Sequence, residues 1–104
     1  MPSLRMTPAF LNILLAVLQR PQHGYAIMQE VEERTGGSVA LGPGSLYWSI
    51  KRLVDVGYLE EVDTADRRRR LYALTDEGRD VLKREVRVLA DIVGYAESQR
   101  LFSE

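Results

Sequence analysis

Residues 42–74 read GPGSLYWSIKRLVDVGYLEEVDTADRRRRLYAL. The first half predicts a helix that begins at residues 42–45 and ends near Gly57, because apolar residues recur there at positions i, i+4 and i+7. Two short β-like runs follow at 58–62 and about 69–74, and turn-type residues separate them. The segment is therefore expected to form an amphipathic helix and then a hairpin, with a dense arginine run, residues 67–70, at the tip or shoulder of the hairpin.

The solvent face of this helix combines a large aromatic ring with two cations. At 100° per residue, the face opposite the apolar stripe carries Gly44, Ser45, Trp48, Lys51, Arg52 and Asp55. Tryptophan is enriched at protein interfaces as an anchor, so a protein partner is one explanation for Trp48. The two cations beside the indole favour DNA instead.

Two more helices are predicted upstream of this segment. Thr7 is placed to cap the first helix and Pro8 suits its first position, whereas Pro21 cannot continue the helix, so the helix should end before it. The second helix runs roughly over residues 24–34, and a glycine pair closes it. The first helix is apolar around most of its circumference, so we expect it to be covered on several sides.

The last helix, from Asp76 to about Gln99, follows the N-cap residue Thr75. One apolar stripe repeats at 4, 3, 4, 3 spacing and comprises Leu82, Val86, Leu89, Val93 and Ala96. A second stripe comprises Val81, Val88 and Ile92. We expect one stripe to pack on the helix's own domain and the other on a partner chain.

Three helices followed by a hairpin is the element order of a winged helix-turn-helix. The predicted fold is mainly α with a small β-hairpin: residues 1–75 form the winged helix-turn-helix, with three helices and a two-stranded wing, and residues 76–104 form a C-terminal dimerisation helix packed in the same compact unit. In this fold the third helix enters the DNA major groove, and a symmetric dimer places two such helices about 34–36 Å apart on a palindromic site.

Composition excludes several other classes of protein. The chain has 104 residues, of which 45% are apolar and 28% charged, as expected for one domain. The net charge is −1, so any nucleic-acid surface must be a local cluster. The absence of cysteine and the single histidine, His23, argue against thiol catalysis and against a metal site. No nucleophile–base pair or phosphate-cradling glycine loop is visible, so we predict no enzyme activity, no cofactor and no metal.

The apolar stretch at residues 9–18 raises the question of a membrane or export segment. It is too short to span a bilayer, which takes about 20 apolar residues. A signal peptide is the closer rival, since Arg5 precedes the stretch. Residues 19–22, however, read QRPQ where small residues would mark a cleavage site. A buried helix, no membrane partner and a cytoplasmic location are expected.

Five motifs follow one another along the chain: HGYAI at 23–27, GPGSLY at 42–47, KRL at 51–53, GYL at 57–59 and RRRLYALTDEGR at 68–79. In these motifs and in their order the chain resembles the PadR-like transcriptional regulators. The resemblance implies a homodimeric winged-helix repressor of the family's short branch, with dimer contacts from the first and last helices. It also implies loss of operator affinity when a small molecule binds near the dimer interface.

Two departures from the family pattern bear on specificity and on effector binding. Trp48 occupies a position that is expected to vary, so it informs operator choice rather than membership. The last helix contains no tryptophan, which argues against drug binding in an aromatic sandwich between paired terminal helices.

The residues predicted to contact double-stranded DNA come from three places in the chain. They are Tyr25, Gly44, Ser45, Tyr47, Trp48, Lys51, Arg52, Arg67, Arg68 and Arg69. Free N–H groups at the start of the third helix are expected to meet a phosphate, with Gly44 permitting close approach. The arginines are expected to neutralise backbone charge, although strand neighbours alternate faces and some of them are structural. His23 is interpreted as a helix start.

The predicted homodimer has its interface on the first and last helices. Its residues are Phe10, Leu11, Leu14, Leu82, Val86, Leu89, Ile92, Val93 and Ala96. A pocket for a small-molecule effector is predicted at Phe10, Leu14, Val93 and Tyr95. The alternative function is a winged-helix module for protein–protein interaction that uses Trp48 and its neighbours as an anchor. The near-neutral total charge favours that alternative.

Overall fold

The computed structural model describes residues 4–62, 64 and 69–103. In chain order its elements are α1 (Pro8–Ala16), β1 (Gln22–His23), α2 (Gly24–Arg34), α3 (Pro43–Asp55), β2 (Leu59–Val62), β3 (Leu71–Leu74) and α4 (Asp76–Ser98). This order confirms the predicted mainly α winged helix-turn-helix with a following C-terminal helix.

The predicted caps of α1 and α4 are formed. The side chain of Thr7 accepts a hydrogen bond from the Phe10 amide at 3.2 Å, and that of Thr75 accepts one from the Gly78 amide at 3.0 Å. Gly36 and Gly37, just after α2, both have positive φ, which a glycine adopts without the strain of a side chain. These local signals explain why sequence alone locates the helix starts well.

A single hydrophobic core holds α1, α2, α3, the sheet and the first part of α4 together. Its largest fully buried side chains are Ile13, Leu14, Ile27, Val31, Leu46, Ile50, Leu53 and Leu59. Tyr72 of β3 and Leu82 of α4 join the same cluster. The apolar stripe predicted on α3 is therefore its buried face, which leaves the opposite face on the surface.

The sheet has three antiparallel strands in the order β1-β3-β2, not the two strands predicted. In the wing, Leu59 pairs with Leu74 and Val62 with Leu71. The additional strand, β1, pairs Gln22 with Tyr72 at the other edge of β3. Two residues are too few to show a period in the sequence, so β1 is visible only once the chain has folded.

Helix α1 ends at Ala16, earlier than Pro21 alone requires. The amides of Val17 and Leu18 donate hydrogen bonds to the carbonyls three residues before them, which tightens the last turn. The side-chain amide of Gln22 donates to the Ala16 carbonyl, which supplies a partner that the helix end lacks. The chain then reverses into β1.

Beyond Leu82, helix α4 presents most of its apolar residues to solvent. Val86, Leu89 and Val93 of the first stripe are exposed, as are Val88 and Ile92 of the second. Neither stripe is covered by the rest of the protomer in this part of the helix, contrary to the expectation that one of them would be. No helix within the described ranges is long and apolar enough to span a bilayer.

Candidate nucleic-acid interface

The helices α2 and α3 begin without a side-chain cap, in contrast to α1 and α4. His23 precedes α2 and makes no capping hydrogen bond from its side chain, and Gly42, which precedes α3, has no side chain with which to cap. Neither helix has an acidic residue in its first turn, whereas α4 has Asp76 and Glu77 there. The first amides of α2 and α3 are thus left available to an external acceptor, and the helix dipole favours an anionic one.

A groove of about 420 Å³ lies at the start of α2 and brings together residues that are far apart in the chain. It is lined by His23, Gly24, Tyr25, Ala26, Tyr47, Arg69, Arg70 and Tyr72. A methyl group added at Gly24 would lie 3.0 Å from the hydroxyl of Tyr47, so the tyrosine ring lies directly over the first turn of α2. Three phenol rings, two arginines and free amide groups therefore share one concave surface.

The floor of this groove contains a small polar network at the wing. Arg70 Nε lies 3.4 Å from Glu61 Oε1, and the Arg70 carbonyl lies 3.3 Å from Nδ1 of His23. Tyr72 is only 6% exposed. Its burial, reinforced by the negative charge of Glu61, raises the pKa of its hydroxyl, while Arg70 partly offsets this. Arg70 and Arg69 are both exposed, but Arg70 pairs with Glu61, whereas Arg69 makes no ion pair with the described residues and is available to a partner.

The predicted contact face of α3 is on the surface as expected. Gly44, Ser45 and Arg52 are all exposed, and nothing lies within 4 Å of the position that a side chain at Gly44 would occupy. Tyr47, 52% exposed, lies at the border of this face and reaches the groove. Lys51 Nζ lies 3.5 Å from Asp55 Oδ2 one turn later, so that cation has a partner within the helix.

Trp48 lies on the same face but has a more definite setting than the helix projection shows. The indole is 60% exposed, and its ring stacks on that of Phe10 with centroids 6.2 Å apart and planes at 27°. The guanidinium carbon of Arg52 lies 5.9 Å from the indole centroid. The indole thus shields Phe10 on one side and contacts a cation, while most of its surface remains open.

The predicted dimer residues divide into two groups. Phe10, Leu14 and Leu82 are buried in the core of the protomer, so they support the surface from behind and have almost no area to offer a partner. Val86, Leu89, Ile92 and Val93 are exposed, and Leu11 and Ala96 are half-buried. The accessible part of the predicted interface therefore lies mainly on the second half of α4.

The four residues predicted for an effector pocket differ in their exposure within one protomer. Phe10 and Leu14 are buried in the core, whereas Val93 and Tyr95 are exposed on α4. The pocket is predicted between the terminal helices of two protomers and the first helix, so it stays a prediction about a surface that a second copy would complete.

Two of the predicted DNA-contact residues, Arg67 and Arg68, lie outside the described residues, as do residues 63, 65 and 66 of the predicted turn. Conversely, sequence reasoning did not assign a role in the site to His23, Arg70 or Tyr72, which line the groove. The arginine run was a signal for Arg70, but its pairing with Glu61 depends on strand register. His23 and Tyr72 reach the groove because β1 pairs with β3.

Comparison with known proteins agrees with this arrangement at the level of family. A family model described as the transcriptional regulator PadR-like family matches residues 13–84, well over half of the chain. An uncharacterized 37.1 kDa protein in transposon TN4556 of Streptomyces fradiae is 35% identical over 91 residues, which are 88% of this chain and 26% of that protein. The chain thus spans about a quarter of the length of that relative.

Solved structures share the fold. A PadR family transcription regulator from hypervirulent Clostridium difficile has a TM-score of 0.75 at 23% identity, covering 88% of this chain and 97% of that one. RosR of H. salinarum has a TM-score of 0.71 at 26% identity, covering 95% and 96%. Bacillus subtilis PadR in complex with operator DNA has a TM-score of 0.66 at 24% identity, covering 74% and 46%. By its family match, this chain is a member of the PadR-like family of transcriptional regulators.

Proposed function

We propose that the chain is a homodimeric, sequence-specific DNA-binding repressor that a small-molecule effector releases from its operator. The observation that carries the DNA-binding part is the groove at the start of α2, where uncapped amides, the hydroxyls of Tyr25 and Tyr47 and the cation of Arg69 face one concave surface. Phosphate oxygens only accept hydrogen bonds, and every one of these groups donates them. Bacillus subtilis PadR, which shares the fold, was solved with operator DNA, and this supports the proposal.

The exposed face of α3 supplies the second half of the proposed interface. A phosphate bound at the start of α2 would hold the protein against the backbone, while Ser45, Trp48 and Arg52 would face base edges in the major groove. Gly44, Lys51 and Arg69 would add backbone contacts on either side. The sequence prediction that Arg67 and Arg68 extend these contacts is kept as part of the proposal.

Dimerisation through α4 would complete the operator-binding unit. The exposed residues Val86, Leu89, Ile92 and Val93 support a second copy of the chain as the partner, because a monomer would leave this apolar surface in water. In this proposal residues 1–75 bind DNA and residues 76–104 dimerise, and a two-fold dimer matches a palindromic operator in the cytoplasm.

The salt dependence of binding to duplexes selected from random DNA tests the groove. Each phosphate neutralised by a cation contributes about −0.9 to the slope of log affinity against log salt concentration. We expect Arg69→Ala to reduce the magnitude of that slope by about one. The matched control is Lys83→Ala, which removes one exposed positive charge from α4 and should leave the slope unchanged. Equal slopes for the Arg69 variant and the wild type would contradict the groove as a phosphate site.

The arginines outside the described residues enter the same measurement. We expect the double variant Arg67→Ala with Arg68→Ala to weaken binding similarly on every sequence and to flatten the salt dependence further. A slope unchanged by the double substitution would remove these two residues from the proposed contacts.

The second candidate function is a protein-interaction module anchored by Trp48. Its support is the wide exposure of the chain's one tryptophan together with the near-neutral total charge. The selection experiment separates the two functions, because a protein module should enrich no duplex over scrambled competitor.

Release by an effector requires a binding site, which we place between the terminal helices of two protomers and the first helix. The exposure of Val93 and Tyr95 supports a site completed by a second protomer. Thermal shifts with a panel of phenolic acids, cationic drugs and metal ions test this. A compound that raises Tm and lowers operator affinity is the expected result, and a flat response across the panel would favour a constitutive repressor.

A further inference from the structure

The two cations on the exposed face of α3 are not equivalent. Lys51 is paired with Asp55 within the helix. Arg52, in contrast, has no carboxylate within 4.0 Å among residues 4–62, 64 and 69–103. Its guanidinium lies over the ring of Trp48. A guanidinium carries five N–H donors in a fixed fork, so this pairing leaves its hydrogen-bonding capacity for a partner outside the protomer.

Trp48 supplies the positioning that a long exposed arginine lacks. The indole is itself held by the ring of Phe10, and Phe10 is buried in the core. A series of contacts therefore extends from Phe10 in the core of the protein, through Trp48, to Arg52 at the surface. Contact with an aromatic face restricts the guanidinium, which lowers the entropy lost when the fork binds a planar acceptor.

The chemistry of these two groups matches two features of base pairs in the major groove. Guanine presents the acceptors O6 and N7, which an arginine fork binds together. Thymine presents a C5-methyl group, which takes an apolar contact. The exposed part of the indole is the large apolar surface beside Arg52 on this face of α3.

We propose that Trp48 and Arg52 act as one recognition unit that reads a thymine next to a guanine in each operator half-site, with the indole on the thymine methyl and the guanidinium on guanine O6 and N7. This inference rests on the proposed DNA-binding function and names the sequence feature that the function selects. Lys51, which pairs with Asp55, contacts the DNA backbone in this proposal and does not determine which base is bound.

The test begins with duplexes selected by the wild-type protein from random DNA. The enriched half-site should contain adjacent thymine and guanine at one fixed position. Two modified versions of that site are then made. In one, deoxyuridine replaces the thymine and removes only its methyl group. In the other, 7-deazaguanine replaces the guanine and removes only its N7 acceptor. Affinities are measured by fluorescence anisotropy at fixed salt concentration.

The expected results are a loss of about threefold to tenfold for deoxyuridine and about tenfold or more for 7-deazaguanine with the wild-type protein. Trp48→Ala should bind the thymine and deoxyuridine sites equally. Arg52→Ala and Arg52→Lys should both lose the preference for guanine, because lysine keeps the charge but not the fork. Lys51→Ala, the matched control, should weaken binding to all three duplexes (the selected site and its two modified versions) by the same factor and leave the preferences intact.

Trp48→Phe keeps an aromatic ring against Phe10, so it serves as a folded variant if Trp48→Ala loses structure. It should retain part of the methyl effect and part of the guanine preference. The inference would be overturned if the enriched motif lacked adjacent thymine and guanine. It would also be overturned if the variants of Trp48 and Arg52 kept the wild-type response to both modified bases. In either case the DNA-binding function would stand. Failure to enrich any duplex would overturn the proposed function itself.

Discussion

At the scale of single residues, Gly78 shows how closely α4 approaches the wing. A Cβ built at this position would lie 2.1 Å from the carbonyl oxygen of Tyr58 and 2.9 Å from a methyl carbon of Leu74. The backbone carbonyl cannot move without disturbing the chain between α3 and β2. Glycine is therefore required here by close packing and not by a positive φ.

We predict that Gly78→Ala destabilises the protein by about 1–3 kcal/mol, the usual range for overpacking a dense core. Urea unfolding followed by circular dichroism measures this. The matched control is Gly94→Ala on the polar face of the same helix, where nothing lies within 4 Å of the new methyl group. The control should stabilise the protein by roughly 0.5–1 kcal/mol, because glycine is unfavourable inside a helix. Equal effects of the two substitutions would contradict the close approach.

We predict that Tyr72 makes the protein less stable at alkaline pH. Burial and the nearby Glu61 raise the pKa of its hydroxyl above the ordinary value of about 10 in the unfolded chain. Ionisation of Tyr72 therefore favours the unfolded state, so its contribution is fully present below about pH 10 and is lost as the pH rises through the raised pKa of the folded state. Unfolding free energies measured from pH 8 to 11 should fall more steeply for the wild type than for Tyr72→Phe. Parallel curves for the two proteins would show that the tyrosine's environment does not favour its neutral form.

At the scale of elements, the four helices differ in whether a side chain accepts hydrogen bonds from the backbone amides of the first turn. The structural helices α1 and α4 have threonine caps, and Thr75 also donates to the Gly57 carbonyl at 2.6 Å, which ties α4 to the end of α3. The helices α2 and α3, which border the proposed DNA surface, lack a side-chain cap. A cap is worth about 1 kcal/mol, so the fold forgoes stability at the two places where a phosphate would supply the same hydrogen bonds.

This division predicts a substitution that improves the fold and impairs binding. Gly42 has extended backbone angles and open space around its Cβ position, so Gly42→Asp should cap α3 and favour its dipole, gaining a few tenths to about 1 kcal/mol of stability. The new carboxylate should at the same time lower affinity for duplex DNA by about tenfold or more, because in the proposed complex it would repel the phosphate at the start of α3. Thermal unfolding and anisotropy titration measure the two effects.

Gly42→Ser separates the cap from the charge. It should gain less stability and lose much less affinity than Gly42→Asp. A fall in affinity that is the same for serine and aspartate, or no fall for either, would place the DNA away from the start of α3.

At the scale of the whole molecule, the arrangement of buried and exposed surface indicates how the protein assembles. The core includes α4 only as far as Leu82, and the helix continues to Ser98 with apolar side chains on its surface. Exposed apolar area of this kind is characteristic of an interaction site. The spacing of the two α3 helices on DNA would then depend on a contact far from either of them.

If the protein dimerises through α4 as proposed, Leu89→Glu should convert the dimer to a monomer, because it places a charge in the centre of the exposed apolar stripe. Sedimentation velocity measures the mass. The variant should also lose most of its affinity for a full palindromic operator while retaining weak binding to a single half-site. Arg87→Glu, on the polar side of the helix, is the control and should remain dimeric. A Leu89 variant with wild-type mass would exclude this stripe from the interface.

Much of this organisation could be predicted from sequence because its causes are local. Helix starts depend on Thr7, Thr75 and the Gly42–Pro43 pair, and the buried face of α3 depends on a repeat within one helix. The exposed positions of Ser45, Trp48 and Arg52 follow from the same repeat. Periodicity could not give the third strand, the groove over Gly24 or the pairing of Arg70 with Glu61, because each joins residues distant in the chain.

By itself, the sequence determined which residues begin helices, which faces are apolar and which fold and family result, since hydrogen-bond capping and side-chain spacing act over a few residues. Only the tertiary structure decided that Phe10 and Leu14 are buried, that the ring of Trp48 stacks on that of Phe10, and that Tyr47 lies over the first turn of α2. These outcomes depend on how elements pack against one another, and the distances that packing sets are not encoded in the period of any one segment.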